Sequence, residues 1–336
     1  MALYYIVFLC AIIALLLPYK KGLFLSWFVF FFMFLMSFYR DATVGTDTLN
    51  YLIYSSEHRE SEYIITFITW LIAEGDLDSR GIIYATSLVT YIFSGLCVFK
   101  YKLDVRYFVL FFFLGNIFTM GMNISRQIAA VSITAYFVPY IMNISFKKSW
   151  RFFLGIVLAY GFHYSSLFAV LLYPILRYVN IEKKRLGIIM LIVSPLVLFN
   201  IIPIDSIMAM FIPDEYSSYS TSRTLTASLL GYIYKVLLLV LQYKLLSNIR
   251  DVKVCMFYVL GVITSNISIG MDSNVARIFL IYSFLHVIAT AHIGTVMRDE
   301  KAFQKMPLYA MILISTYFCF IGIQTNPDLN NYLFYK

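Results

Sequence analysis

An all-α, polytopic integral membrane helix bundle is the fold class that this 336-residue chain predicts, and three observations predict it. Hydrophobic residues make up 61% of the chain and charged residues 13%, too few polar groups to coat a water-soluble globule. The apolar residues collect in long runs at 22–38, 80–99, 107–121, 124–145, 187–203, 227–246, 254–271, 276–294 and 308–324. With shorter runs at 3–17 and in the two halves of 152–180, the segmentation predicts about twelve spans of near-bilayer length. Third, the basic residues lie in short clusters between the runs.

Those clusters decide what the net charge of +8 means. Lys20 and Lys21, Lys100, Lys102 and Arg106, Lys147, Lys148 and Arg151, Arg177 and Lys183 to Arg185, Lys244, Arg250 and Lys253, and Arg298, Lys301 and Lys305 mark the cytoplasmic ends of spans. Read by location, the charge orients a membrane protein and implies no nucleic acid. Arg40, Arg59, Arg80, Arg126, Arg223 and Arg277 fall on the other side, where topology asks for no cations. A planar guanidinium grips phosphate or carboxylate with paired donors, which makes these arginines candidate substrate contacts. The four cysteines stand singly in apolar runs and read as small core hydrophobes. Neither a basic leader nor a small-residue cleavage site frames the first run, so the reading is an uncleaved chain with its N-terminus outside.

The runs 3–17 and 22–38 predict a helical hairpin turning at 18–22 and delivering the chain outward at Tyr39. The polar stretch that follows, YRDATVGTDTLNY at 39–51, carries Arg40, Gly45, Asp47 and Tyr51; Gly45 permits a sharp turn and Asp47 is placed to cap or accept within it. Residues 61–74, SEYIITFITWLIAE, are amphipathic and too short to span, which predicts an interfacial or re-entrant helix. Asp76 and Asp78 then read as a solvated helix start, since no third ligand stands near them for a metal. Asn123, Arg126 and Gln127 are spaced i, i+3 and i+4, which predicts one helical face at the outer end of a span. The run 152–180 is broken by 161–166, whose His163 is the one histidine expected at the outer face; His58, His286 and His292 are assigned structural roles. A second outer loop at about 204–227 is rich in tyrosine and carries Arg223, and a turn at 271–274 precedes Arg277. Lys235, inside a span, needs a partner or a wet cavity. The organisation predicted is one transmembrane domain, 1–336, with large outer loops at about 39–79 and 204–227. The chain lacks an internal repeat, a Gly-rich phosphate loop, GxSxG and HExxH.

The order Arg40, Gly45-Thr46-Asp47 and Tyr51, Glu62-Tyr63, Asn123-x-x-Arg126-Gln127-x-x-Ala130, His163-x-Ser165 and Arg277 resembles the EpsG family of bacterial polysaccharide polymerases, similar to Wzy-type O-antigen polymerases. The glycine usual between the equivalents of Glu62 and Tyr63 is absent here, which counts against Glu62. The resemblance implies transfer of a growing glycan from undecaprenyl pyrophosphate onto the next lipid-linked repeat unit. It places the chain in the bacterial inner (cytoplasmic) membrane with the site facing the periplasm. A co-polymerase that sets chain length is the further partner implied, and no cofactor or metal is.

The chemistry agrees with the residues. Pyrophosphate is already a good leaving group, so Arg40, Arg126, Arg223 and Arg277 would neutralise it without a metal, with Asn123, Gln127 and Tyr51 as further substrate contacts. The acceptor hydroxyl needs a base, and His163 and Asp47 are the two candidates. Two alternatives remain: a GT-C-type glycosyltransferase using polyprenyl-phosphate sugars, whose arrangement of helices a bundle like this one resembles, and a lipid-linked oligosaccharide flippase. If location gives the arginines their role, Lys147→Gln leaves glycan extension intact while Arg277→Gln abolishes it at equal protein level. Equal activity of the two variants in a cell-surface polysaccharide assay would remove the argument.

Overall fold

In the computed structural model the described residues are 1–45, 48–53, 62–142, 148–199, 201, 229–267, 279–325 and 329, and the regular elements among them are all helices. The chain divides into two compact units, Met1–Arg177 with Ser315–Lys336, and Tyr178–Ile314. The first unit holds helices α1 (Ala2–Leu16), α2 (Tyr19–Phe38), α3 (Thr48–Ile53), α4 (Tyr63–Glu74), α5 (Gly81–Lys100), α6 (Val105–Leu114), α7 (Ile117–Asn123), α8 (Ser125–Phe137), α9 (Pro139–Met142), α10 (Trp150–Tyr160), a 3₁₀ helix at Tyr164–Leu171, and α11 (Leu172–Tyr178).

The predicted hairpin is present, with a tighter turn than expected. Pro18, with its fixed φ, caps α2 directly, so Lys20, Lys21 and Gly22 belong to the helix. Gly22 is where α1 and α2 touch, because a Cβ there would meet the Ala14 carbonyl at 2.2 Å. Farther along, α8 is buried from Gln127 through Ala135, as expected of a helix surrounded by others. Its Ala129, Ala130 and Ile133 pack with Tyr51, Ile65, Ile72, Ile82, Ile83, Ala159 and Phe162, one core that draws α3, α4, α5 and α10 onto α8. Small buried residues on α5 (Ser87, Thr90, Ser94, Gly95) allow such close packing where lipid supplies no hydrophobic drive between helices. The outward stripe of α2, Phe24, Phe28 and Phe31, is exposed as a lipid-facing surface would be.

Among the described residues four helices are long and apolar enough to cross a bilayer, Tyr19–Phe38, Gly81–Lys100, Leu280–Asp299 and Ala302–Gln324, or five if Val105–Leu114 and Ile117–Asn123, bent by 53°, form one span. The described residues therefore do not supply the twelve spans expected. One apolar run is longer than the helices it contains, since Asn116 turns left-handed (φ 61) between α6 and α7; the breaks at Ile124 and at 161–163 fall where the runs are already divided. The short amphipathic helix is confirmed as α4, with bounds two residues inside the prediction at its start. The 204–227 loop lies outside the described residues.

Three helices of the first unit, α2, α5 and α10, have basic residues at one end and polar site candidates at the other. Lys20 and Lys21 lie in the first turn of α2 and Arg40 just beyond its end; Arg80 precedes α5 and Lys100 closes it; Arg151 lies in the first turn of α10 and His163 follows its end. At the basic end Lys100 and Arg151 both lie over the ring of Tyr140, at 4.1 and 5.3 Å from its centroid, and Arg106 lies over Tyr19. A helix of 20 residues is about 30 Å long, so that distance separates the two sets of charges. In the second unit, helices Leu229–Leu246 and Val252–Ile267 meet where Lys235 donates to the Ser265 carbonyl at 3.0 Å, the partner that its place in a span demands. His286 stacks on Tyr258 there, which agrees with a structural role.

Gly45 is held at φ +89, and a Cβ on it would meet the Met122 carbonyl at 2.3 Å. Gly45→Ala is expected to cost at least about 1–2 kcal/mol from the left-handed backbone alone, seen as a lower unfolding midpoint of the detergent-solubilised protein. Gly322→Ala, where a Cβ meets nothing within 4 Å, is the control expected to leave the midpoint unchanged.

Candidate active site

The polar end of the first unit is assembled from the end of α2, from α3, and from the starts of α4, α5 and α8, with the segment after α10. Arg40 comes first. Its side chain is fully buried; Nη1 donates to the Ser37 carbonyl at 2.7 Å and Nε to Thr48 Oγ1 at 3.0 Å. Thr48 in turn donates to the Val44 carbonyl at 2.6 Å, and Arg80 donates to the backbone carbonyl of Arg40. Arg40 thus fastens the Gly45 turn to the end of α2, with its fork turned into the protein. Beside it Asp41 accepts from the amide and hydroxyl of Thr43, and those bonds hold its carboxyl below the ordinary carboxylate range.

The expected single face of Asn123, Arg126 and Gln127 is corrected. Ile124 (φ −124, ψ 54) ends α7 and caps α8, so Asn123 belongs to one helix and the other two residues to the next. The break is built in: the Met122 carbonyl, at the end of α7, accepts from Thr48 Oγ1 at 3.3 Å and is the atom that Gly45 abuts. Arg126 and Gln127 then open α8 as neighbours and diverge by about 100° around the axis.

Arg126 pairs with Glu62, Nη1 to Oε2 at 2.5 Å, with side chains 12% and 3% exposed, and its guanidinium lies 5.1 Å from the centre of the Tyr51 ring. Gln127 Nε2 donates to Ser165 Oγ at 2.9 Å. Ser165 contacts His163 Nδ1 twice, through Oγ at 2.8 Å and through its backbone N–H at 3.2 Å. His163 Nε2 faces Glu62 Oε1 at 4.0 Å. The contacts close a ring: Arg126, Glu62, His163, Ser165, Gln127 and back through the backbone of α8. Glu62 reaches this place because the first amides of α4, Ile64 and Ile65, donate to the Gly161 carbonyl at 3.0 and 3.2 Å, while Tyr63 donates to the Val157 carbonyl. The end of α10 therefore caps α4 where no side chain of its own does.

Three polar atoms beside the ring, Asn123 Oδ1, Ser125 Oγ and Ser166 Oγ, are buried with no hydrogen-bond partner among the described residues. Native proteins rarely leave such atoms unpaired, so they invite a ligand. Away from the ring, Asp78 accepts from the Arg80 amide at 2.9 Å and from the Tyr84 hydroxyl at 3.3 Å, the helix-start role expected of it. No group of three metal-ligating side chains forms among the described residues. Asp47, Arg223 and Arg277 lie outside the described residues. Of the remaining expected site residues, the structure joins Arg126, Gln127, His163 and Tyr51 in one cluster, sets Asn123 on the adjoining helix and buries Arg40 behind the turn. Sequence reasoning discounted Glu62 and passed over Thr48. The signal for Glu62 was its place immediately before an apolar helix, which delivers its carboxylate to whatever that helix start packs against.

A polytopic helical membrane protein with a buried ring of ionisable and hydrogen-bonding side chains at one end of its helices is the class that this architecture defines. Residues 23–336 match the EpsG family, and the chain belongs to that family of polysaccharide polymerase-like membrane proteins. Neither a curated protein nor a solved structure matches it.

Arg126 distinguishes an anchor from a site residue. Lysine would reach the same headgroups as a snorkelling arginine with the same charge, but it lacks the planar fork. Arg126→Lys is expected to insert normally and to lose turnover in glycan extension by about 10²- to 10³-fold, the scale of one missing donor to a developing anion. Wild-type turnover in a correctly inserted variant would make Arg126 an anchor.

Proposed function

We propose that this protein is an exopolysaccharide or O-antigen polymerase, joining oligosaccharide repeat units carried on undecaprenyl pyrophosphate at the periplasmic face of the bacterial inner membrane. The observation that carries the reading is the family match over nearly the whole chain. The basic residues at the far ends of α2, α5 and α10 support the orientation, since such clusters stay cytoplasmic and leave the ring outside.

The donor's pyrophosphate is the charge to be met, and Arg126 is the described arginine placed to meet it. At an effective dielectric of about 20, each close charge pair is worth about 4 kcal/mol before desolvation. Interactions that strengthen as the leaving group gains charge lower the barrier, not merely the binding energy. Asn123 Oδ1, Ser125 Oγ and Ser166 Oγ, unpaired in the absence of ligand, suit the hydroxyls of a sugar. Arg40 and Arg80, turned inward, hold the turn that borders the site. The acceptor hydroxyl is activated by a base, for which His163 and Asp47 are the residues that the family motif offers.

Deleting the protein and resolving the cell's surface polysaccharide on a gel tests the reading. Loss of the ladder with a retained single-repeat band supports a polymerase. Loss of every repeat-bearing band would point instead to a flippase or to an earlier transferase that uses polyprenyl-phosphate sugars. With arginines supplying the positive charge, purified protein is expected to extend lipid-linked repeats in excess chelator. A strict Mg²⁺ or Mn²⁺ requirement would bring Asp76 and Asp78 forward and overturn the metal-free mechanism.

A further inference from the structure

The ring contains more than the polymerase reading uses. Arg126, offered above as the pyrophosphate contact, already holds a carboxylate: Glu62 Oε2 lies 2.5 Å from its Nη1. A diphosphate carries more charge than a carboxylate and matches the same fork, so the two compete for one guanidinium.

The hydrogen atoms of His163 follow from its neighbours. A backbone N–H can only donate, so the Ser165 amide at 3.2 Å makes Nδ1 the unprotonated nitrogen. The Ser165 hydroxyl, 2.8 Å from the same nitrogen, then donates to it as well, while its oxygen accepts from Gln127. The ring proton of neutral His163 consequently sits on Nε2, on the side of Glu62 Oε1. In this arrangement the imidazole lone pair is occupied by Ser165, and the imidazole offers a proton towards the carboxylate.

Resting on the polymerase reading, we infer that Glu62 is the base for the acceptor hydroxyl and that the donor's pyrophosphate releases it by displacing it from Arg126. His163 is then a positioning residue, its Nε2–H holding the freed carboxylate in the site. In the transfer step the acceptor O–H gives its proton to a Glu62 oxygen and the acceptor oxygen bonds to the donor's anomeric carbon. The bond from that carbon to the pyrophosphate oxygen breaks, and its electron pair leaves with the pyrophosphate, whose charge Arg126 neutralises. Glu62 passes the proton to water as the product lipid departs. Glu62 is not released until a donor is bound, so acceptor alone stays inert.

The test uses the full chain in lipid nanodiscs with two readouts: binding of sugar-free undecaprenyl pyrophosphate, and extension of lipid-linked repeats. Glu62→Gln removes the competing charge and is expected to bind the pyrophosphate about tenfold tighter, the size of a modest coupling between two sites. The same variant should extend glycan about 10²- to 10⁴-fold more slowly, the range for a lost general base. In an Arg126→Gln background, Glu62→Gln should leave pyrophosphate affinity unchanged. Glu62→Asp, a shorter competitor, is expected to shift binding and turnover in the same directions and serves if Glu62→Gln does not insert. Unchanged or weaker pyrophosphate binding in inserted Glu62→Gln, or wild-type turnover in it, overturns the inference. The binding arm contains no sugar: a wild-type chain that extends nothing while the affinities shift as expected would sink the polymerase reading and the base role, leaving the exchange at Arg126. Wild-type extension with unmoved affinities would sink the exchange alone.

Discussion

A guanidinium without access to water must have its donors met by protein, and Arg40 is the point on which the polar end of the first unit depends. Its two bonds join the last turn of α2 to Thr48 across the Gly45 turn. That turn is pressed onto the Met122 carbonyl, and the pressed carbonyl lies where α7 stops. The stop at Ile124 gives α8 a separate start, and from that start Arg126 and Gln127 diverge to the two ends of the ring. A fully buried arginine thus borders the helix break from which Arg126 points.

Arginines on one side of the protein therefore divide by task. Arg40 and Arg80 answer backbone carbonyls and a threonine; Arg126 answers a carboxylate and an aromatic face. All three share the property that set them apart in the sequence, a position where membrane topology requires no cation. Charge placement identifies the group, but burial and partner type decide which member faces a ligand. The glutamate that looked least promising is the one paired with Arg126, because the helix start that follows it is anchored on Gly161 and its side chain meets α8.

Much of the fold was legible. The α1–α2 hairpin, the short amphipathic α4, the helix start at Asp78 and the polar interruption after α10 all follow from hydrophobic run length, proline, glycine and capping residues. The break at Asn116 was not, because asparagine does not forbid a helix and this break answers a tertiary contact, Asn116 Oδ1 accepting from Cys319 Sγ at 3.4 Å; the break at Ile124 falls where the apolar runs 107–121 and 124–145 meet, beside the carbonyl that Thr48 and Gly45 engage. Of the candidate residues, Arg126, Gln127 and His163 come together, yet the i, i+3, i+4 rule assumed one uninterrupted helix and misplaced Asn123. The Glu62 pairing joins residues 64 apart in sequence, a relation that no local pattern encodes.

The joint between α4 and α10 is made largely by main-chain atoms: two amides of one helix meet the Gly161 carbonyl of the other, with the Tyr63 hydroxyl the one side-chain donor described across it. A joint of that kind is indifferent to most side-chain identities, so the residues along both helices are at liberty to drift in an accumulating set of mutants. The exceptions are the places where one backbone must lie against a neighbour. At Gly161 a Cβ would fall 2.5 Å from Ile64 and 2.8 Å from the ring of Tyr63, and at Gly45 it would strike a carbonyl. In a saturation library read by glycan output, these two glycines would stand out as narrow intolerant positions that carry no charge themselves, marking where the hand that holds the ring is hinged to the arm.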